Sequence, residues 1–154
     1  MDKIERALKR PFPVAKLRWR KGQGSSGDLV YITARDVMDR LDEVFNIDGW
    51  QTRYDFIGNR MICNLSVYID GEWITKADGA DDSNIEGAKG GISDSLKRAA
   101  VLVGVARYLY HPNAFDANKK PAMWATPEGY DEVMAQRDEN SAIEKLDKVF
   151  KDAE

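Results

Sequence analysis

Apolar and polar residues alternate over two stretches, and this pattern organises the middle of the chain. In Arg60–Ile69, Met61, Cys63, Leu65, Val67 and Ile69 fall on one side and Ile62, Asn64, Ser66 and Tyr68 on the other. A period of two predicts a strand with one core face. Gln51–Ile57 reads as its partner across a Gly58-Asn59 turn, and Asp70-Gly71 turns the chain into a third strand from Trp73 to about Asp78. The product is an antiparallel three-strand meander. Upstream, Thr33 is placed to cap a helix from Ala34 to about Phe45, with Asp36 in its first turn and an apolar stripe of Val37, Leu41, Val44 and Phe45.

Downstream the period changes to that of a helix, from about Asn84 to Leu109. On a wheel of about 100° per residue, Ile85, Ala88, Ile92, Leu96, Ala99, Leu102, Val103 and Ala106 share a core face. Lys97 and Arg98 flank the face opposite the core, with Asp94 between them. Gly87, Gly90, Gly91 and Gly104 also lie off the core face. That placement fits a close approach by a sugar-phosphate chain or a neighbouring subunit. It fits equally a break at Gly90-Gly91, with a shorter helix starting near Ser93. Val101, Val105 and Tyr108 lie off the core face too and suggest a second packing surface.

At the ends, residues 2–10 read as a short basic helix stopped by Pro11 and Pro13. Val14–Arg20 reads as a strand with Lys16, Arg18 and Arg20 on one face, and Leu29–Ile32 as another strand. Thr126-Pro127 reads as an N-cap with proline at the first helical position, and Ser141 with Glu144 as a capping box for a later helix. The fold class expected is α+β: an antiparallel meander packed on a long helix, with additional N- and C-terminal helices. Residues 1–125 are expected to form the main domain and residues 126–154 an acidic helical segment.

Composition modifies this picture through the distribution of charge. The net charge of −3 argues against a nucleic-acid binder when taken alone. However, residues 1–21 hold eight bases and two acids, whereas residues 126–154 hold four bases and nine acids. Cys63 is the only cysteine, so no disulfide forms within the chain and a reducing cytoplasm is expected. No apolar run is long enough for a membrane span, and the charged N-terminus does not read as a signal peptide.

Several motifs fail on context. Gly22–Gly27 matches a dinucleotide-binding pattern in letters, but a strand follows it where a helix N-terminus is required. A phosphate-binding loop of the GxxxxGK[ST] kind is missing, which disfavours an ATP-driven recombinase. His111, the only histidine, sits at a helix end and suits a capping or surface role. Asp78, Asp81, Asp82 and Glu86 could hold Mg²⁺ in a nuclease, but capping of the following helix is the better reading.

Taken together, Tyr31–Val37, Asn46–Trp50, Asp70–Trp73, Asp78–Asp82, Glu86–Gly91 and Ser93–Ala100 resemble the Rad-fifty-two superfamily of single-strand annealing proteins, with phage proteins of the Sak type as the nearest kin. The resemblance covers about residues 8 to 112. It implies an antiparallel sheet on a long helix, subunits in rings or helical assemblies, and single-stranded DNA in a basic groove. The family's Lys-Arg pair matches Lys97 and Arg98, and Arg35 is the nearest match to a further basic residue. The residues expected to contact DNA are Lys97, Arg98, Arg35, Lys89, Arg18 and Arg20, with no catalytic residue, metal or cofactor. The partners expected are single-stranded DNA and further copies of the chain, with a single-stranded DNA-binding protein or an exonuclease as additional candidates and no membrane. The activity implied is ATP-independent annealing in recombination and repair, in the bacterial host cytoplasm if the chain is phage-encoded. The rival readings are a non-annealing single-strand binder, a metal-dependent nuclease and an assembly protein with no DNA role. Trp19, Trp50 and Trp73 are expected in the core or at an interface.

Overall fold

The computed structural model describes residues 2–24, 27–80 and 87–153, with the backbone alone at residues 87–89. Helix α1 (Lys3–Lys9) is capped by Asp2, whose side chain accepts the Ile4 N–H. Strands β1 (Arg18–Lys21) and β2 (Asp28–Tyr31) form an antiparallel ribbon in which Arg18 faces Tyr31 and Arg20 faces Leu29. Helix α2 (Ala34–Phe45) begins with a full capping box, because Asp36 at its third position returns a bond to the Thr33 N–H. Strands β3 (Trp50–Ile57), β4 (Arg60–Ile69) and β5 (Glu72–Gly79) form the antiparallel meander in the order β3-β4-β5. Helix α3 (Gly87–Leu102) packs across β4 and β5, and helix α4 (Pro127–Asp152) closes the chain. The mixed α+β architecture is the one expected from the sequence.

The core lies between the sheet and the helices. Cys63, Leu65 and Val67 of β4 meet Val37 and Leu41 of α2 and Leu96, Ala99 and Ala100 of α3, with Leu8 and Phe12 closing one end. Each large apolar side chain buried there contributes about 1.5–3 kcal/mol.

Several expectations fail for identifiable reasons. The strand expected from Val14 starts only at Arg18, because Pro13 accepts the Lys16 N–H and Val14–Lys16 closes as a 3₁₀ turn. The long helix ends at Leu102 rather than near Leu109. Gly104 takes φ +107°, its N–H bonds the Val101 carbonyl, and the Val105 N–H bonds the Ala100 carbonyl. This pair of bonds is a Schellman stop. The wheel therefore misplaces the residues beyond Gly104: Val105 is fully buried in the chain's own core, and the Tyr108 hydroxyl accepts the Phe12 N–H. Neither residue supplies an outer packing surface. Ile92, assigned to the core face, is 40% exposed.

The helix runs unbroken through Gly90-Gly91, and a Cβ on Gly91 would meet Met61 Cβ at 3.1 Å. The close approach at that glycine is thus made by the sheet. No new helix begins at Ser141, since α4 continues through it. Residues 84–86, including Ile85 and Glu86, lie outside the described residues, as do Asp81 and Asp82. Among the described residues, no helix is long and apolar enough to cross a membrane.

Candidate nucleic-acid interface

A cleft of about 560 Å³ opens between the β1–β2 ribbon, α3 and the segment 106–116. Arg20 and Tyr31 of the ribbon line it, and α3 contributes Asp94, Lys97 and Arg98 from one face. The half-buried Lys97 ammonium donates to the Ile32 carbonyl at 3.3 Å and lies 5.5 Å from the centre of the Tyr31 ring. The Arg20 guanidinium lies 5.8 Å from the same ring. Tyr31 is therefore flanked by two cations, an arrangement that its negative ring face favours. The Arg98 side chain, 47% exposed, sits with Nε 3.6 Å from Asp78 Oδ1, a distance that leaves the guanidinium able to turn to another anion. Trp19 packs edge-on against Phe115, and Tyr110 stands 73% exposed at the cleft mouth.

The three cations are matched in number by Asp28, Asp94 and Asp116. Two of these carboxylates are already engaged. Asp28 pairs with Lys119 at 2.8 Å, and Asp116 accepts the Asn118 and Lys120 N–H groups. Arg20 and Lys97 have no carboxylate partner within 4 Å among the described residues.

The structure thus brings together Lys97, Arg98 and Arg20, but not Arg18 or Arg35. Arg18 is exposed on the ribbon outside the cleft lining, and Arg35 is exposed in the first turn of α2. Lys89 lies in the first turn of α3, and its side chain is outside the described residues. The basic N-terminal segment is engaged elsewhere. Arg6 makes a two-pronged bond to Asp138 and Arg10 one to Asp131, while Lys9 bonds Glu5. Arg6 and Arg10 hold Asp138 and Asp131 below the usual carboxylate range, and Lys9 does the same to Glu5. Sequence reasoning missed Tyr31 and Tyr110 as cleft residues. Pairing Val14–Arg20 with Leu29–Ile32 as one hairpin would have placed Tyr31 on the arginine face.

Other candidates resolve differently. Asp78 accepts the Gly79 N–H and faces Arg98, and no group of three metal-ligating side chains occurs among the described residues. His111 caps the 3₁₀ turn Arg107–Tyr110; its Nδ1 accepts the Asn113 N–H and its ring packs on Trp124. Trp50 packs on the core and donates to Asp42, whereas Trp73 is 46% exposed beside Tyr68.

Residues 1–127 match the Rad52/22 family of double-strand break repair proteins. The chain belongs to that family. The similar proteins include the single-stranded DNA-binding protein DdrA of Deinococcus deserti, 27% identical over 146 residues that cover 83% of this chain and 72% of the relative. The protein of the same name from Deinococcus radiodurans is 27% identical over 131 residues, covering 80% and 60%. The chain therefore spans about three quarters and three fifths of the two relatives. These matches support the superfamily and not the nearer likeness to phage proteins. On this Rad52/22 family member, the Ser93–Ala100 stretch that carried the resemblance forms the α3 wall of the cleft.

Proposed function

We propose that this chain binds single-stranded DNA along the cleft and anneals complementary strands, without ATP, a metal or any catalytic step of its own. The observation that carries the proposal is the convergence of Arg20, Lys97 and Arg98 around Tyr31. Arg20 and Lys97, without acid partners, and Arg98, loosely paired with Asp78, neutralise phosphate whatever the sequence, and exposed aromatic faces such as that of Tyr110 can stack bases. Arg18, Arg35 and Lys89 extend the contact beyond the cleft. The protein acts in the cytoplasm as a homo-oligomer, ring or helical, with residues 1–125 as the annealing domain and 126–154 as an acidic helical segment. A single-stranded DNA-binding protein or an exonuclease is a further candidate partner.

The test is fluorescence anisotropy with a labelled oligonucleotide. Single strands should bind more tightly than duplex of the same length, and Lys97→Ala/Arg98→Ala should weaken that binding. Equal affinity for duplex, or an unaffected variant, would remove the proposal. The carboxylates of the cleft favour a second reading, in which one strand is held but a second polyanion is not admitted. That protein would bind single strands and leave the annealing rate of complementary strands unchanged.

A further inference from the structure

Five of the six tyrosines have partners within the chain. Tyr31 lies between Lys97 and Arg20, Tyr54 packs on the core, and Tyr68 packs on Trp73. The Tyr108 hydroxyl accepts the Phe12 N–H, and the Tyr130 hydroxyl donates to the Arg6 carbonyl. The sixth, Tyr110, has no hydrogen bond, ring contact or cation for its side chain among the described residues. It also stands clear of the core, so its ring contributes little to the fold.

The backbone nevertheless holds Tyr110 in place. It ends the 3₁₀ turn Arg107–Tyr110, which starts from Ala106 at φ +61°. The Leu109 N–H bonds the Ala106 carbonyl just before it, and the His111 N–H bonds the Tyr108 carbonyl just after it. Leu109 packs against the core, and Pro112 restricts His111 to extended backbone, at φ −74° and ψ 130°. The His111 ring is fixed in turn by the Asn113 N–H on Nδ1 and by Trp124. Tyr110 and His111 border the first cleft, so the ring and the cations of α3 share one cavity. A second cleft, of about 320 Å³ between α1, the sheet and the end of α3, has no aromatic side chain in its lining, and Asp2 and Glu5 stand among its bases.

We propose that Tyr110 is a base-stacking subsite at the mouth of the first cleft, and that this ring, rather than the cations, selects unpaired strands. The inference deepens the proposed function and rests on it. Phosphates are common to single strands and duplex, so Arg20, Lys97 and Arg98 do not tell the two apart. A base inside a duplex has both faces covered, whereas an unpaired base can offer a face to a ring. Stacking engages that face and leaves the pairing edge free, so a held base can still be tested against a second strand. A ring already fixed by its backbone loses little freedom when a base settles on it. Such stacking changes affinity by about five- to 150-fold per base and adds no ion to the salt dependence.

Anisotropy with two labelled strands of equal length and phosphate number, one of thymidine and one of abasic residues, tests it at low salt. Tyr110→Ala should weaken binding of the thymidine strand about fivefold or more, with its salt slope unchanged. Its preference for that strand over duplex of the same length should shrink by a similar factor. Tyr110→Phe should recover most of the loss, because the ring and not the hydroxyl stacks. On the abasic strand, parent and Tyr110→Ala should bind alike. Unchanged binding of the thymidine strand by Tyr110→Ala overturns the proposal, and so does an unchanged preference over duplex. An equal loss on the abasic strand also overturns it, since the substitution would then act on the phosphate contacts. Lys97→Ala/Arg98→Ala separates the two readings, because it should flatten the salt slope whether or not Tyr110 stacks. A flattened slope there with no effect of Tyr110→Ala removes the stacking subsite and leaves the cleft standing, and a parent that binds neither strand refutes both.

Discussion

Replacing Lys97 and Arg98 with alanine removes two cations from the wall of the first cleft without disfavouring α3, since alanine is the best helix former. Each phosphate contact with a single strand contributes about 0.7 to the slope of log affinity against log salt. Two lost contacts flatten that slope by about 1.4, and by a multiple of this if the oligonucleotide spans several protomers. From about 50 to about 200 mM salt, the variant's deficit should therefore shrink by about sevenfold. Lys97 also donates to the Ile32 carbonyl, so its loss costs about 1 kcal/mol of stability. Urea unfolding of the variant separates this cost from the binding effect. The assay is an anisotropy titration at three or more salt concentrations. Parallel lines for parent and variant, whatever their offset, would refute phosphate contact by these residues.

Other parts of the structure give further outcomes. The buried Arg40 donates from Nη1 to the carbonyls of Ala7, Leu8 and Arg10, and lies 4.2 Å from the centre of the Phe12 ring. Arg40→Met leaves those carbonyls unpaired but relieves the burial that pulls the Arg40 pKa down. A net loss of about 3 kcal/mol is expected in urea, and a loss below about 1 kcal/mol would show that water replaces the side chain. Asp131 and Asp138 have depressed pKa values, so their stabilisation is complete above the ordinary carboxylate range and is lost as pH falls below it. The start of α4 should gain hydrogen-exchange rate relative to α2 below about pH 4, and an unchanged ratio would contradict the clamp. Gly104→Ala forces alanine to φ +107° with its Cβ 2.9 Å from Lys9 Cγ. It should cost about 1–3 kcal/mol, and an unchanged melting temperature would show that the helix stop can shift.

The local elements were readable because their signals are local. Thr33 and Asp36 fixed the start of α2, and the alternation of Cys63, Leu65 and Val67 fixed the buried face of β4. The Asp70-Gly71 turn is visible as a residue pair that tolerates positive φ, and both residues adopt it. The end of α3 was marked by Gly104, but the apolar period continued past it and concealed the stop. The start proposed at Ser141 failed because an exposed serine is tolerated inside a helix whose first turn is capped far upstream at Thr126.

Contacts between distant segments were not readable. The opposite charges of the two ends are plain in the composition, but that Arg6 meets Asp138 and Arg10 meets Asp131 depends on α1 and α4 lying together. Four of the eight N-terminal bases, Arg6, Lys9, Arg10 and Lys16, are therefore paired with acids within the chain. The Lys97-Arg98 pair came from the wheel and the family motif, whereas the position of the neighbouring Tyr31 depends on the ribbon register.

The central claim is annealing through the first cleft, and its most direct measurement is the rate at which two complementary labelled oligonucleotides pair, in EDTA and without ATP. The parent protein should accelerate pairing well above the protein-free rate. Lys97→Ala/Arg98→Ala, still folded and of unchanged assembly mass, should lose most of that acceleration. A parent that leaves the spontaneous rate unchanged while binding each strand, or a variant that anneals as fast as the parent, would contradict the account.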